Sequence, residues 1–100
     1  MASPPDFLAH RDGDSVAVAM RDLPAGRAEG GYLAITDRAL AVDLAEPVRL
    51  GHKFALRDIA AGEQVIEYGV PVAVATADIA AGQHAHTHNL RSIRWSTSVG

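Results

Sequence analysis

Asp58-Ile59-Ala60-Ala61-Gly62 recurs as Asp78-Ile79-Ala80-Ala81-Gly82 and, more loosely, as Asp22-Leu23-Pro24-Ala25-Gly26. Each copy has the chemistry of a corner. An Asp side chain can accept a hydrogen bond from a backbone N–H two or three residues on, the Ile or Leu can enter a core, and Gly can take positive φ as the turn ends. The expectation is a single helical turn that sends the chain back into a new strand. The copies are unequally spaced, which argues for reused corners in one domain rather than a solenoid.

Between the corners the apolar residues keep a period of two. Ser15-Val16-Ala17-Val18-Ala19-Met20 places Val16, Val18 and Met20 on one face and small alanines on the other, and Leu40-Ala41-Val42-Asp43-Leu44 alternates again. Val65-Ile66-Glu67-Tyr68 and Val70 to Val74 are rich in β-branched residues, interrupted by Gly69 and Pro71. Tyr32 to Ala39 is too short between its Gly and Pro neighbours for a stable helix and reads as a strand pair or loop. The prediction is a mostly β domain of short strands joined by these corners.

With 100 residues, the chain has room for one small core. Its 48% hydrophobic and 21% charged residues are ordinary for a globular fold and exclude disorder. The net charge is -3 and the cations are scattered, so neither nucleic acid nor an anionic membrane is an expected partner. Without cysteine there is no disulfide, thiolate nucleophile or Cys-held metal. Met1 to His10 lacks a basic start followed by an apolar run, and no stretch approaches the ~20 apolar residues of a membrane span, so a cytoplasmic location is expected. The polar tail carries the single Trp, Trp95, read as a core plug in preference to an exposed anchor. The uncharged Val70 to Ala77 segment favours self-association of the isolated chain.

Four of the five histidines fall at His52 and in His84-Ala85-His86-Thr87-His88-Asn89. On a strand, residues two apart share a face, so His84, His86 and His88 could line one side as ligands of a divalent metal. If His84 still belongs to the turn, His86 and His88 alone share a face, and a third ligand must come from His52, a carboxylate or another chain. The bland alternative is that these imidazoles hydrogen-bond backbone groups. Lys53, the single lysine, follows Gly51-His52 and suits either contact with an anionic group or a solvated strand entrance. No Gly-x-Ser-x-Gly elbow, Gly-rich phosphate loop with Lys-Ser/Thr, or His-Glu-x-x-His is present.

In order, Asp14-Ser15-Val16-Ala17-Val18-Ala19-Met20, then Gly51-His52-Lys53-Phe54-Ala55-Leu56-Arg57-Asp58-Ile59-Ala60-Ala61-Gly62-Glu63, Glu67-Tyr68-Gly69-Val70-Pro71 and the closing His86-Thr87-His88-Asn89 resemble the small SAF domain of the altronate/galactarate dehydratase family. The likeness is to its separate small-subunit form, of the sulfolactate sulfo-lyase alpha-subunit type. It implies a β-clip fold over residues 14–91, with 1–13 as an amino-terminal extension and 92–100 as a tail.

The resemblance also implies elimination of water or sulfite from a sugar acid or 2-hydroxy acid. A larger catalytic subunit of the same family would be the partner, a small anionic sugar acid or sulfolactate-like molecule the substrate, and a divalent metal such as iron the cofactor. His52 and Lys53 match as catalytic positions, His86, His88 and Asn89 as substrate contacts, and His86 and His88 as metal ligands. The chain departs from the family at Glu67, where Lys is common, near Ala73, where Gly is common, and at Arg11 and Ser15 in the opening motif. The other reading is a SAF-fold binding or assembly module without a catalytic role.

Overall fold

Alternating short apolar runs cut by corners give nine strands in a computed structural model that describes residues 4–32 and 39–93. They are β1 Phe7–Ala9, β2 Val16–Ala19, β3 Gly26–Tyr32, β4 Ala39–Leu44, β5 Lys53–Ala55, β6 Gln64–Glu67, β7 Val70–Ala75, β8 His84–Ala85 and β9 Leu90–Ser92. Six form a sheet in the order β4-β3-β1-β2-β5-β8 and three form a second in the order β6-β7-β9. All pairs are antiparallel except β1 with β3. The chain is mostly β, as the alternation predicts. Trp95 and most of the Tyr32 to Ala39 segment lie outside the described residues.

Two apolar cores share the β2–β5 pair. Ala17, Ala19 and Phe54 belong to one, with Phe7, Leu23, Leu44 and Val48. Val16 and Ala55 belong to the other, with Ile59, Val65, Ala75, Ile79 and Ala85. The small face of β2 is therefore buried more completely than its branched face, where Val18 is half-buried and Met20 is 46% exposed. Phe54 opposes Ala17 and Phe7 opposes Ala19 in the register, and the two rings meet edge to face at 5.0 Å. Rings of that size fill the space a larger β2 side chain would need.

The amino-terminal stretch expected as an extension is part of the sheet. Phe7 and Ala9 are fully buried, with β1 between β2 and β3. Three residues of strand are too few for a periodic signal, so the boundary at 14 falls inside the fold. β7 is paired on both edges, by β6 and β9, while Val70 stays 52% exposed.

The corners differ from single helical turns. Ile59 and Ile79 exchange both backbone hydrogen bonds, at 2.7 and 2.8 Å, so the two corners form a bridge with each other. Asp58 Oδ1 accepts from the N–H of Ala81 in the opposite corner and Asp78 Oδ1 from that of Ala61, at 2.9 and 2.8 Å. The N–H groups expected to meet the Asp of their own corner are instead capped by Glu63 onto Ala60 and Gln83 onto Ala80.

The Asp22 corner bridges Val48 through Leu23, and its Asp accepts from Leu50 N–H. This exposes a fourth corner, Pro47-Val48-Arg49-Leu50-Gly51, whose glycine takes φ +83° like those of its counterparts Gly62 and Gly82 at +85° and +87°. Proline stands where Asp would, which hid the repeat in the sequence and leaves that corner without a carboxylate to return the bond.

The second sheet is pinned to the first by two buried polar residues. Asp14 accepts hydrogen bonds from the backbone N–H groups of Arg11, Tyr68 and Gly69, and Ser15 Oγ accepts one from Ile66 N–H. Tyr68 and Gly69, at φ +59° and +74°, form the two-residue turn between β6 and β7.

Gly82 and Gly62 occupy equivalent positions in paired corners, yet only at Gly82 would an added Cβ meet backbone, at the Asp43 carbonyl. Gly62→Ala should cost about 1–2 kcal/mol from positive φ alone and Gly82→Ala about 3 kcal/mol or more. Urea unfolding of the two variants measures the difference, and equal losses would contradict the packing described.

Candidate functional site

Register places the histidines. In the β5–β8 pair Phe54 opposes His84 and Lys53 opposes Ala85. Opposed residues share a face and successive residues alternate, so His84 lies on the face of Phe54 while Lys53 and Ala85 turn to the other, and His52 and His86, just outside the paired residues, converge on His84. The result is a cluster of imidazoles. His52 Nδ1 lies 2.9 Å from His84 Nε2, and the His86 ring stacks 4.8 Å from His52 and 5.4 Å from His84. One potential ligand nitrogen from each of the three lies within 4.8 Å of the other two.

The expected metal pair was His86 and His88. His84, left to the turn by that reading, is instead at the centre of the group. His88 is exposed and its tilted ring sits 5.4 Å from His84, outside the converging trio. Asn89, expected at the substrate, is buried and faces the protein. Its side-chain NH₂ donates to the His84 carbonyl and its Oδ1 accepts from His86 N–H, at 2.9 and 2.8 Å. It positions the loop that carries the histidines.

On the other face lies an open cleft of about 660 Å³. Val16, Val65, Ala73, Ala85 and Leu90 give it an apolar floor, Lys53 and Glu67 line it, and His52 and His86 reach it. Lys53 Nζ is 3.3 Å from Glu67 Oε1, with the lysine side chain 41% exposed and the carboxylate nearly buried. Glu67 Oε2 lies 3.4 Å from His10 Nε2, and the His10 ring stacks on Tyr68 at 3.6 Å. His10 Nδ1 is buried with no hydrogen-bond partner among the described residues, so the neutral tautomer with the proton on Nε2 avoids a stranded buried donor.

Spacing assigned His10 no role, because it becomes a neighbour of Glu67 only when β1 enters the sheet. Glu67 was visible as a departure from the family pattern, and its place in the cleft wall is new.

The imidazoles also shape one another's protonation. Burial pushes His84 below the ordinary histidine value of 6.5, and the positive charges that His52, His86 and His88 would carry push the same way, against the pull of Glu46. A neutral His84 keeps the lone pair that a metal or hydrogen-bond donor needs. The unfolded chain protonates this residue near 6.5 while the folded chain resists, so its contribution to stability is whole above that value and declines as pH falls below it. His84→Gln should therefore narrow the fall in melting temperature between about pH 7.5 and about pH 5 relative to the parent chain. An unchanged difference would show that the cluster does not hold His84 neutral.

A family model described as the altronate/galactarate dehydratase SAF domain matches residues 5–93. The chain is 51% identical over 79 residues to altronate dehydratase from Escherichia coli (strain K12), covering 79% of this chain and 15% of that enzyme. It is 35% identical over 91 residues to (2R)-sulfolactate sulfo-lyase subunit alpha from Chromohalobacter salexigens, covering 90% of this chain and 97% of that subunit. With the alpha subunit of Paracoccus pantotrophus the identity is 40% over 48 residues, 48% of this chain and 72% of the subunit. A match across nearly the whole fold makes this chain a member of the altronate/galactarate dehydratase SAF-domain family.

Proposed function

We propose that this chain is the small subunit of a lyase that eliminates water or sulfite from a sugar acid or small 2-hydroxy acid, and that it completes its site against a larger catalytic subunit. The observation that carries the reading is a converging trio of imidazoles, two of which, His52 and His86, reach the open cleft that Lys53 lines. Similarity over 97% of a protein named as an alpha subunit supports the small-subunit role.

Elimination next to a carboxylate removes an α proton and develops enediolate charge, which calls for cationic or Lewis-acid help. Three imidazole nitrogen donors suit a borderline divalent metal such as iron or zinc. His52, His84 and His86 would hold it, and bound there it would stabilise that charge. His52 and His84 now share a hydrogen bond that metal binding would replace. Lys53 offers its ammonium to the substrate carboxylate, Glu67 fixes that ammonium, and the apolar floor excludes water beneath the bound acid. Three ligands and an open cleft leave positions for the substrate and the partner subunit.

The test begins with copurification of a large partner and an assay of the assembly against altronate, other sugar acids and sulfolactate. His52→Ala, His84→Ala, His86→Ala and Lys53→Ala should each lower the elimination rate at least about tenfold in assembled complexes, while His88→Ala stays within about threefold. Cobalt(II) added to the isolated chain should give a ligand-field spectrum that His84→Ala abolishes. Normal rates in all four variants, or no elimination product from any assembly, would overturn the lyase reading.

A further inference from the structure

Glu67 has a consequence for which acids the cleft accepts. Among the described residues lining it, Lys53 and Glu67 are the two that carry a formal charge at neutral pH, and they lie 3.3 Å apart. The cation is thus already matched before any ligand enters. Glu67 is 7% exposed, and its other oxygen is taken up by His10 at 3.4 Å. The carboxylate is held in place from both sides and cannot swing away from an incoming anion. Each of its oxygens retains a lone pair, because a carboxylate accepts up to about four hydrogen bonds and these contacts use two.

We infer that Glu67 is a specificity-determining residue, selecting acids with a single negative charge and several hydroxyl groups over acids with two negative charges. This rests on the elimination reading above and deepens it by naming the substrate class. One anionic group can be met by Lys53, whose side chain is the more exposed member of the pair. In the metal-free chain a second anionic group, whether sulfonate or carboxylate, meets no second formally charged cation among the described cleft residues and approaches Glu67, and like charges brought together in a partly dry site repel. A hydroxyl in the same place donates to the free lone pairs of Glu67 and is bound.

Matched ligands test this without changing the protein. The probes are a six-carbon aldonate, the aldarate that differs from it by a carboxylate in place of the terminal CH₂OH, and sulfolactate. Each is titrated into the isotope-labelled chain while the backbone amide signals of Lys53, Glu67 and Ala85 are followed by NMR. The aldonate should bind at least about fivefold more tightly than either doubly charged acid, and Glu67→Gln should bring that ratio below about twofold.

Equal or tighter binding of the doubly charged acids by the parent chain overturns the inference and leaves the elimination reading standing, as does an unchanged ratio in folded Glu67→Gln. Absence of any shift with all three acids overturns the inference, since no acid then docks beside Glu67, and leaves the elimination reading to the assay of the assembled complex. If Glu67→Gln loses its signal dispersion, the parent ratio at low and high salt decides instead. A preference that shrinks with salt supports charge selection, and a salt-independent one overturns it.

Discussion

The site depends on the bridge between the corner that leaves β5 and the corner that enters β8. Ile59 and Ile79 exchange backbone hydrogen bonds there, and Asp58 and Asp78 each reach across to the other corner. Gly82 then donates to the Ala55 carbonyl, and Ala55 N–H to that of Gln83, so β8 is delivered alongside β5 in fixed register. His52 and His84 are 32 residues apart in the chain and 2.9 Å apart in space because of that register. Both isoleucines are buried, so the bridge forms in a place where an unpaired backbone group would be costly, and the pairing has no cheap alternative.

Strand alternation then divides the labour of adjacent residues. His52 and Lys53 are neighbours, yet the imidazole joins the histidine cluster while the ammonium meets Glu67. The same alternation lets β2 and β5 feed two cores, with Phe54 in one and Ala55 in the other. A domain this small gains by using both faces of its central strands, since its surface is large relative to its volume. That also leaves little interior to enclose a substrate, and the cleft between the second sheet and the β5–β8 pair stays open.

Two readings from the sequence met the same difficulty. The corners were legible as turns from Asp and Gly, but an Asp side chain can serve its own turn or a distant one, and local sequence does not distinguish them. The fourth corner was masked because Pro47 removes the carboxylate that marks the others. Likewise His86 and His88 share a strand period, but strand pairing ends at Ala85, and the chain turns through His86 to Asn89 under the grip of the Asn89 side chain. Period-two reasoning stops where the strand stops, and the convergence goes to His52, His84 and His86.

The amino-acid sequence by itself determined the mostly β architecture, through alternation and repeated turn chemistry, and the family, through ordered segments such as Gly51 to Glu63. It also marked His52, Lys53 and the His84–His88 run as the residues with chemistry to offer. Only the tertiary structure decided which of them meet. His10, Glu67 and Lys53 come from three strands or strand ends far apart in the chain, and their contacts are made by β1 entering the first sheet and by Asp14 and Ser15 pinning β6 beside it. Local propensity is set by a few neighbouring residues, whereas such contacts follow from sheet order and register, which the whole chain settles together when it buries its cores.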